Sequence, residues 1–264
     1  MMDEEKDARE LIDEVVHWLY NETSPSGNRC VIGVSGGIDS SVALGLSIKA
    51  VGRENVFAIF LPSAYTPPGD FGEIRDLEDA MDIKIHVIDI QRLVEAFINL
   101  LNIDVKNKKA AGNIIARIRM IALYYFANSL NAMVVNACNL SEDFVGYTTK
   151  YGDSAGDIAP LGMVLKRDVY RMAQYLGIPE PILTKTPSAG LWEKQTDEEE
   201  LGVSYDAIDR FISLVIEGKT VEDIKDNAGE YGLSVEDIEK IVGLHLKNKH
   251  KMQGIKLMGS QPVL

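Results

Sequence analysis

Four short runs of apolar, largely β-branched residues punctuate the first half of the chain, at 31–34, 56–61, 83–88 and 132–136. Segments with apolar residues at helical spacing separate them, at 40–51, 70–81 and about 112–129. Runs this short and continuously apolar predict strands buried on both faces. Their alternation with helices predicts a parallel sheet between two helical layers, a Rossmann-like three-layer α/β fold. Ligands of such sheets bind beyond the carboxyl ends of the strands. The informative turns therefore follow Val34, Leu61, Ile88 and Asn136.

Beyond Asn136 the pattern changes. A stretch rich in Gly, Asp, Thr and Lys at 139–160 reads as loop, followed by a helix at 166–176 and a second loop at 185–200. Helical periodicity at 203–216, 221–227 and 235–248 predicts a C-terminal helical extension. Neither repeats nor a flexible linker interrupt the chain. The expectation is a single domain over 1–264, with an α/β core at about 8–176 and a helical part at about 200–252.

Composition narrows the class. At 264 residues, 46% hydrophobic and 25% charged, the chain has the make-up of a soluble globular protein. No apolar run approaches the roughly 20 residues that span a bilayer, so no membrane role is expected. The N-terminus, residues 1–16, is acidic and reads as an amphipathic helix, unlike a secretory signal, which predicts a cytoplasmic protein. The net charge of −13 argues against nucleic acid as a partner. Cys30 and Cys138 are far apart and belong to no CxxC pair, which argues against a disulfide framework or a cysteine zinc site.

The first predicted strand runs into Ser35-Gly36-Gly37-Ile38-Asp39-Ser40-Ser41 and then a helix. Two glycines let backbone approach an anion closely. A helix start directs free N–H groups and a positive dipole end at the same point. Ser35, Ser40 and Ser41 add hydroxyls. The lysine of the GxxxxGK[ST] loop is missing, and an aspartate is present instead. A carboxylate beside phosphates is repulsive unless a cation lies between, so Asp39 is read as a Mg²⁺ ligand. The alternative is a tight turn with Asp39 as a helix cap. Glu142, after the fourth strand, is placed to give the metal a second carboxylate, or else serves as a helix N-terminal residue. Arg117 and Arg119 project about 200° apart on a helix. They suit phosphate or carboxylate recognition, unless both are surface arginines.

The strand–SGGxDS–helix sequence resembles the phosphate loop of the N-type ATP pyrophosphatases, of adenine nucleotide alpha hydrolase-like fold. The resemblance implies ATP contacts from Gly33, Val34, Ser35, Gly36, Gly37, Ile38, Asp39 and Ser40. Further motifs are similar to those of the ammonia-dependent NAD synthetase family. Gly112-Asn113 through Arg117-Ile118-Arg119-Met120 is one, and Ser141-Glu142 through Gly146-Tyr147 to Thr149-Lys150-Tyr151-Gly152-Asp153 is another. Lys185 to Leu191 and the stretch from Gln195 to Asp209 match as well, so the resemblance covers roughly residues 8–252.

This resemblance implies catalytic roles for Asp39, Glu142 and Lys166, with Mg²⁺ on the two carboxylates. It gives Lys166 and Ser188 further ATP contacts, Ser188 standing where the family has threonine. Deamido-NAD contacts fall on Arg117, Lys150, Asp157, His250 and Lys251, with Asn113 and Arg119 as secondary candidates. Tyr151 and Asp153 would help shape the pocket. One departure is Asn136-Ala137 in place of the family's Gly-Thr, so an ATP contact at Ala137 has to be through backbone. The implied reaction joins ammonia to the nicotinate carboxylate of deamido-NAD through an adenylate, releasing AMP and pyrophosphate. It also implies a homodimer. The length leaves no room for a glutaminase domain, so free ammonia, or ammonia from a separate protein, is the expected nitrogen source. Another adenylating enzyme, such as a tRNA-modifying thiolase or a GMP-type amidase, and a non-catalytic nucleotide-binding module are the rival readings. The first lacks the motifs at Arg117 and Lys150, and the second has no use for two carboxylates.

Overall fold

The computed structural model describes residues 8–188, 190–192 and 195–254. The first seven positions of the expected N-terminal helix, Ala189 of the second loop and the tail from residue 255 lie outside the described residues.

Four parallel strands form the sheet: β1 (Cys30–Gly33), β2 (Val56–Phe60), β3 (Ile85–Val87) and β4 (Met133–Val135). Their spatial order is β3-β2-β1-β4. Successive side chains on a strand point to opposite faces, and the burial divides accordingly. Cys30, Ile32 and Val34 with Val56, Ala58 and Phe60 enter one core, while Val31, Ile59 and Leu61 enter the other.

The first core is closed by α1 (Ala8–Thr23), α2 (Ile38–Val51), α3 (Asp70–Met81) and, later in the chain, the helix Lys166–Leu176. The second is closed by α4 (Gln91–Leu101) and α5 (Lys108–Leu130). The expected three-layer α/β architecture is therefore present. Ile59 and Val31 are fully buried, each contributing roughly 1.5–3 kcal/mol relative to exposure. The helix α4 is absent from the pattern read above, although Leu93, Val94, Phe97, Ile98 and Leu101 carry a helical period.

A short helix, α6 (Leu140–Val145), interrupts the stretch expected as loop. Asn139 caps it, accepting from the Glu142 N–H at 3.0 Å. Then come α7 (Lys166–Leu176), α8 (Glu180–Leu183), α9 (Asp197–Leu201), α10 (Tyr205–Ile216), α11 (Val221–Asp226) and α12 (Val235–Asn248). Ser204, Thr220 and Ser234 cap the last three, the latter two as reciprocal capping boxes with Asp223 and Asp237. These helices and α6 share a third apolar cluster around Phe211, Ile208 and Ile238.

Candidate active site

The chain lays β2 and β3 to one side of β1 and then crosses to place β4 on the other. The connections leaving β1 and β4 diverge at their carboxyl ends, opening the crevice where α/β sheets take ligands. A cavity of about 270 Å³ lies there. The loop after β1 and the segment 136–142 after β4 face each other across it.

The phosphate loop is built to hold its own shape. Gly36 adopts φ +81 and is backed by Glu73, so a side chain at this position is strained and crowded. The Ser35 N–H donates to Ser40 Oγ at 3.1 Å, and the Gly37 N–H to Ser35 Oγ at 3.2 Å. The Ser40 and Ser41 hydroxyls turn back onto the Gly37 carbonyl at 3.0 and 2.9 Å. Ser41 is thus a brace for the loop rather than the outward donor expected of it. The free N–H groups at the start of α2 remain the anion-binding element. Gly33, Val34, Ser35, Gly37, Ile38, Asp39 and Ser40 line the cavity; Gly36 shapes the turn.

Asp39, Glu142 and Lys166 meet at one end of this cavity. Lys166 Nζ lies 2.6 Å from Asp39 Oδ2 and 3.0 Å from Glu142 Oε1. Lys166 is only 2% exposed, not the solvated helix-terminal lysine that its sequence position alone suggests. Asn139 Nδ2 donates to Asp39 Oδ1 at 2.8 Å, so the residue that caps α6 also orients the loop aspartate. Burial and the adjoining Asp39 carboxylate raise the Glu142 pKa above the ordinary range, opposed by Lys166. Burial pulls the Lys166 ammonium down, but the two carboxylates outweigh it and hold the charge.

Residues not singled out from sequence surround this trio. The Tyr205 ring lies 4.9 Å from Lys166 Nζ, and its hydroxyl donates to Asp197 Oδ2 at 3.2 Å. Gln195 Nε2 and the Tyr147 hydroxyl both donate to Glu200 Oε2, at 2.8 and 2.6 Å. Tyr147 follows α6, Tyr205 opens α10, and Gln195, Asp197 and Glu200 come from α9 and its approach, segments whose contact with the loop is not encoded in local periodicity.

The opposite end of the cavity is apolar, lined by Val34, Phe60, Leu61, Met120 and Leu123. Arg119 enters here, donating from Nε to the Leu61 carbonyl at 3.1 Å. Burial lowers its pKa, partly opposed by Asp153 and Asp70. Ala137 also lines this cavity, as do Ser188 and Lys185 from the second loop. Lys185 Nζ pairs with Asp70 Oδ1 at 2.7 Å and Glu73 Oε2 at 2.6 Å, tying that loop to α3. Gly112 permits the same loop to pack on α5, since a Cβ there would lie 2.9 Å from Leu191 Cβ.

The two arginines of α5 part company as their spacing requires. Arg119 faces the cavity, while Arg117 is exposed and donates to the Lys150 carbonyl at 3.1 Å. Lys150 Nζ donates to the His250 and Gln253 carbonyls at 2.6 and 2.9 Å. Lys251 Nζ donates to those of Gly146 and Thr148 at 2.6 and 2.9 Å. Arg117, Lys150, His250 and Lys251 therefore form a second, basic cluster beside the cavity. Asn113 joins it indirectly, accepting from Thr149 Oγ1 at 2.8 Å. Asp153 lines the cavity, and Tyr151 sits next to Lys150. Asp157 stands apart from both groups. Its carboxylate accepts the Val134 N–H at 2.8 Å and the Tyr124 hydroxyl at 3.3 Å, closing the β4 edge of the sheet.

Known proteins are similar to this chain over most of its length. An NH(3)-dependent NAD(+) synthetase of Thermoplasma volcanium is 43% identical over 84% of this chain and 87% of its own. Among solved structures, an NMN synthetase of Francisella tularensis superposes with a TM-score of 0.84 at 34% identity, covering 97% of this chain and 100% of that one. An NH3-dependent NAD synthetase of Campylobacter jejuni, in complex with the nitrate ion, gives a TM-score of 0.78 at 25% identity over 96% and 100% of the two chains. The NAD synthase family model matches residues 11–254, a span that takes in both the phosphate loop and the basic cluster, and the chain belongs to that family.

Proposed function

We propose that this chain amidates the nicotinate carboxylate of deamido-NAD with ammonia, converting ATP to AMP and pyrophosphate. The observation that carries this reading is the convergence of Asp39, Glu142 and Lys166 beside the phosphate loop. A carboxylate oxygen of the substrate attacks the α-phosphorus of ATP, and the bond to the β-phosphate oxygen breaks. Ammonia then attacks the acyl carbon of the adenylate, AMP leaves, and the nitrogen loses a proton. The α2 N–H groups and the Lys166 ammonium meet the charge that develops on departing pyrophosphate. No protein nucleophile takes part, in keeping with Cys138, whose thiol burial pushes well up in pKa.

The donor set fits a magnesium ion. Two carboxylates converge on a single cation-sized position, now taken by the ammonium of Lys166. Hard carboxylate oxygens with phosphate oxygens and water suit Mg²⁺. Among the described residues no group of three or more such side chains gathers, so phosphate would complete the shell. When bound, the ion would neutralise the β and γ phosphates. Arg119, Ala137, Ser188 and the loop hold ATP in this reading. Arg117, Lys150, His250 and Lys251 hold deamido-NAD, while Asp157 supports its site from the sheet edge.

The reading includes a homodimer. Ile121 and Tyr125 on α5 and Leu100 and Leu101 on α4 are large apolar residues at least half exposed, on neighbouring helices. It takes the chain as one catalytic unit, because Tyr205 of the helical part touches Lys166 of the core. It also places the protein in the cytoplasm, in keeping with two free, buried cysteines. Among the described residues no helix is long and apolar enough to cross a membrane.

Likeness to a protein named NMN synthetase favours a second reading, in which the acceptor is the corresponding mononucleotide. Pyrophosphate release with ATP, Mg²⁺ and ammonium decides between them. A higher kcat/KM with deamido-NAD supports the dinucleotide. A higher value with nicotinate mononucleotide overturns it in favour of the second reading, and turnover with neither overturns both.

A further inference from the structure

Asp209 sits on α10 and is not among the residues lining the cavity, yet its carboxylate is 2% exposed. Oδ1 accepts a hydrogen bond from the Ser141 hydroxyl, and Oδ2 accepts the Arg167 N–H at 2.8 Å. Ser141 Oγ in turn accepts the Lys166 N–H at 2.9 Å. The residue capping α7 is Leu165, which has no side-chain acceptor to offer. The first N–H groups of a helix need partners from outside it. Here they find them on Ser141 and Asp209, from two other helices.

Ser141 is the neighbour of Glu142, and Lys166 is the first residue of α7. One buried carboxylate thus ties the side chain beside the metal-ligand candidate to the backbone one residue after the bridging lysine, while that side chain holds the lysine's own N–H. Its negative charge suits a helix N-terminus, and hydrogen bonds to an ionised acceptor are the stronger kind. The grip is doubled on the other side. Arg167 Nη2 donates to Ser213 Oγ at 3.0 Å, and the Ser213 hydroxyl donates to the Asp209 carbonyl at 2.8 Å.

We propose that Asp209 is a positioning residue for ATP activation, fixing Lys166 relative to Glu142 through Ser141 and the N-terminus of α7. The proposal rests on the role given to Lys166 above. It gives the helical extension a task in the chemistry, because α10 determines where the core's lysine stands. A catalytic ammonium displaced by about 1 Å loses much of its effect.

The test uses the full chain and the variants Asp209→Asn, Ser141→Ala and Lys166→Met, alone and in pairs, with pyrophosphate release measured per folded enzyme. Asp209→Asn keeps the shape but removes the charge. The expected result is a fall in kcat of about 10–100-fold, the usual cost of removing a partner that orients a catalytic group, with the deamido-NAD KM unchanged. Adding Asp209→Asn to Lys166→Met should give no further fall, since the carboxylate acts through the lysine. A merely structural role would lower Tm and leave kcat intact, and that outcome overturns the proposal; a fall in kcat that multiplies with that of Lys166→Met overturns it too. If Asp209→Asn does not fold, Ser141→Ala breaks the same link and is held to the same criteria. Wild-type kcat in Lys166→Met overturns the role of the lysine itself and the positioning proposal with it. Loss in Lys166→Met beside wild-type kcat in Asp209→Asn overturns only the positioning.

Discussion

Lys166 Nζ lies 2.6 Å from Asp39 Oδ2, joining residues 127 positions apart in the chain. This ammonium bridges Asp39 and Glu142, a largely buried pair of carboxylates, and offsets one of their charges. Removing one member of such a group leaves uncompensated charge, at about 3–5 kcal/mol. Lys166→Met should therefore lower Tm sharply, and Mg²⁺ should restore Tm further in this variant than in the wild type. Its pyrophosphate release should fall by about 10²-fold or more. Differential scanning calorimetry across a magnesium titration is the measurement. A Tm response equal to the wild type would show that the two carboxylates do not share a cation.

The two arginines of α5 should separate kinetically as they separate in space. Arg119→Ala is expected to raise the KM for ATP by about tenfold or more, since one charged hydrogen-bonding group contributes about 1.5–3 kcal/mol, with little change for deamido-NAD. Arg117→Ala should do the reverse. Initial-rate measurements with each substrate varied in turn would expose an exchanged assignment directly.

Lys185 bridges Asp70 and Glu73 and offsets one of their charges, and the Glu73 carboxylate lies 3.2 Å from where a Gly36 Cβ would stand. Burial lowers the pKa of Lys185, but the two carboxylates raise it overall. Lys185→Met should leave the acidic pair facing the triphosphate and weaken ATP binding. Adding Glu73→Gln should recover part of the loss. Isothermal titration with ATP tests this, and an unrelieved double variant would point to loop anchoring instead of charge.

The exposed apolar face of α5 predicts self-association. Tyr125 is 65% exposed, and Tyr125→Asp should shift the molecule to a monomer in sedimentation equilibrium. A wild-type chain that is already monomeric at micromolar concentration would exclude the dimer.

Asp143 yields a pH dependence. Burial and the nearby Asp153 push its carboxyl up to about 7, and Oδ1 has no hydrogen-bond partner. The folded pKa exceeds the unfolded value of about 3.9. Its protonated form therefore favours the fold fully below about pH 3.9, and that contribution is lost as pH rises through about 7. Asp143→Asn should gain on the wild type steadily between those limits, by roughly 2–4 °C in Tm for each kcal/mol. A pH-independent difference would contradict the shift.

Much of the fold was legible in local pattern. The helices Asp70–Met81, Lys166–Leu176 and Val235–Asn248 fall where the 3.6-residue period and end residues put them. Three of the four strand starts are one or two residues out, because apolar runs do not mark where hydrogen-bonded pairing begins. The helix Gln91–Leu101 carries an amphipathic period of its own, with apolar residues at 93, 94, 97, 98 and 101. The short α6 had only Asn139 and two early acidic residues to announce it. In the site, Asp39 was legible because a carboxylate inside a glycine-rich anion loop is chemically odd. Tyr205, Asp197 and Asp209 lie in a stretch that by itself reads as a helix start.

The sequence alone determined the alternation of strands and helices, the phosphate loop with its aspartate, and the family. Each is a local pattern of hydrophobicity, turn chemistry or motif spacing. Only the tertiary structure decided that Lys166 is buried between Asp39 and Glu142, that Arg119 and not Arg117 faces the cavity, and that Asp157 braces the sheet edge. Those facts depend on the crossing from β3 to β4 and on α10 packing against α7. Such contacts join residues distant in sequence, and no local periodicity records them.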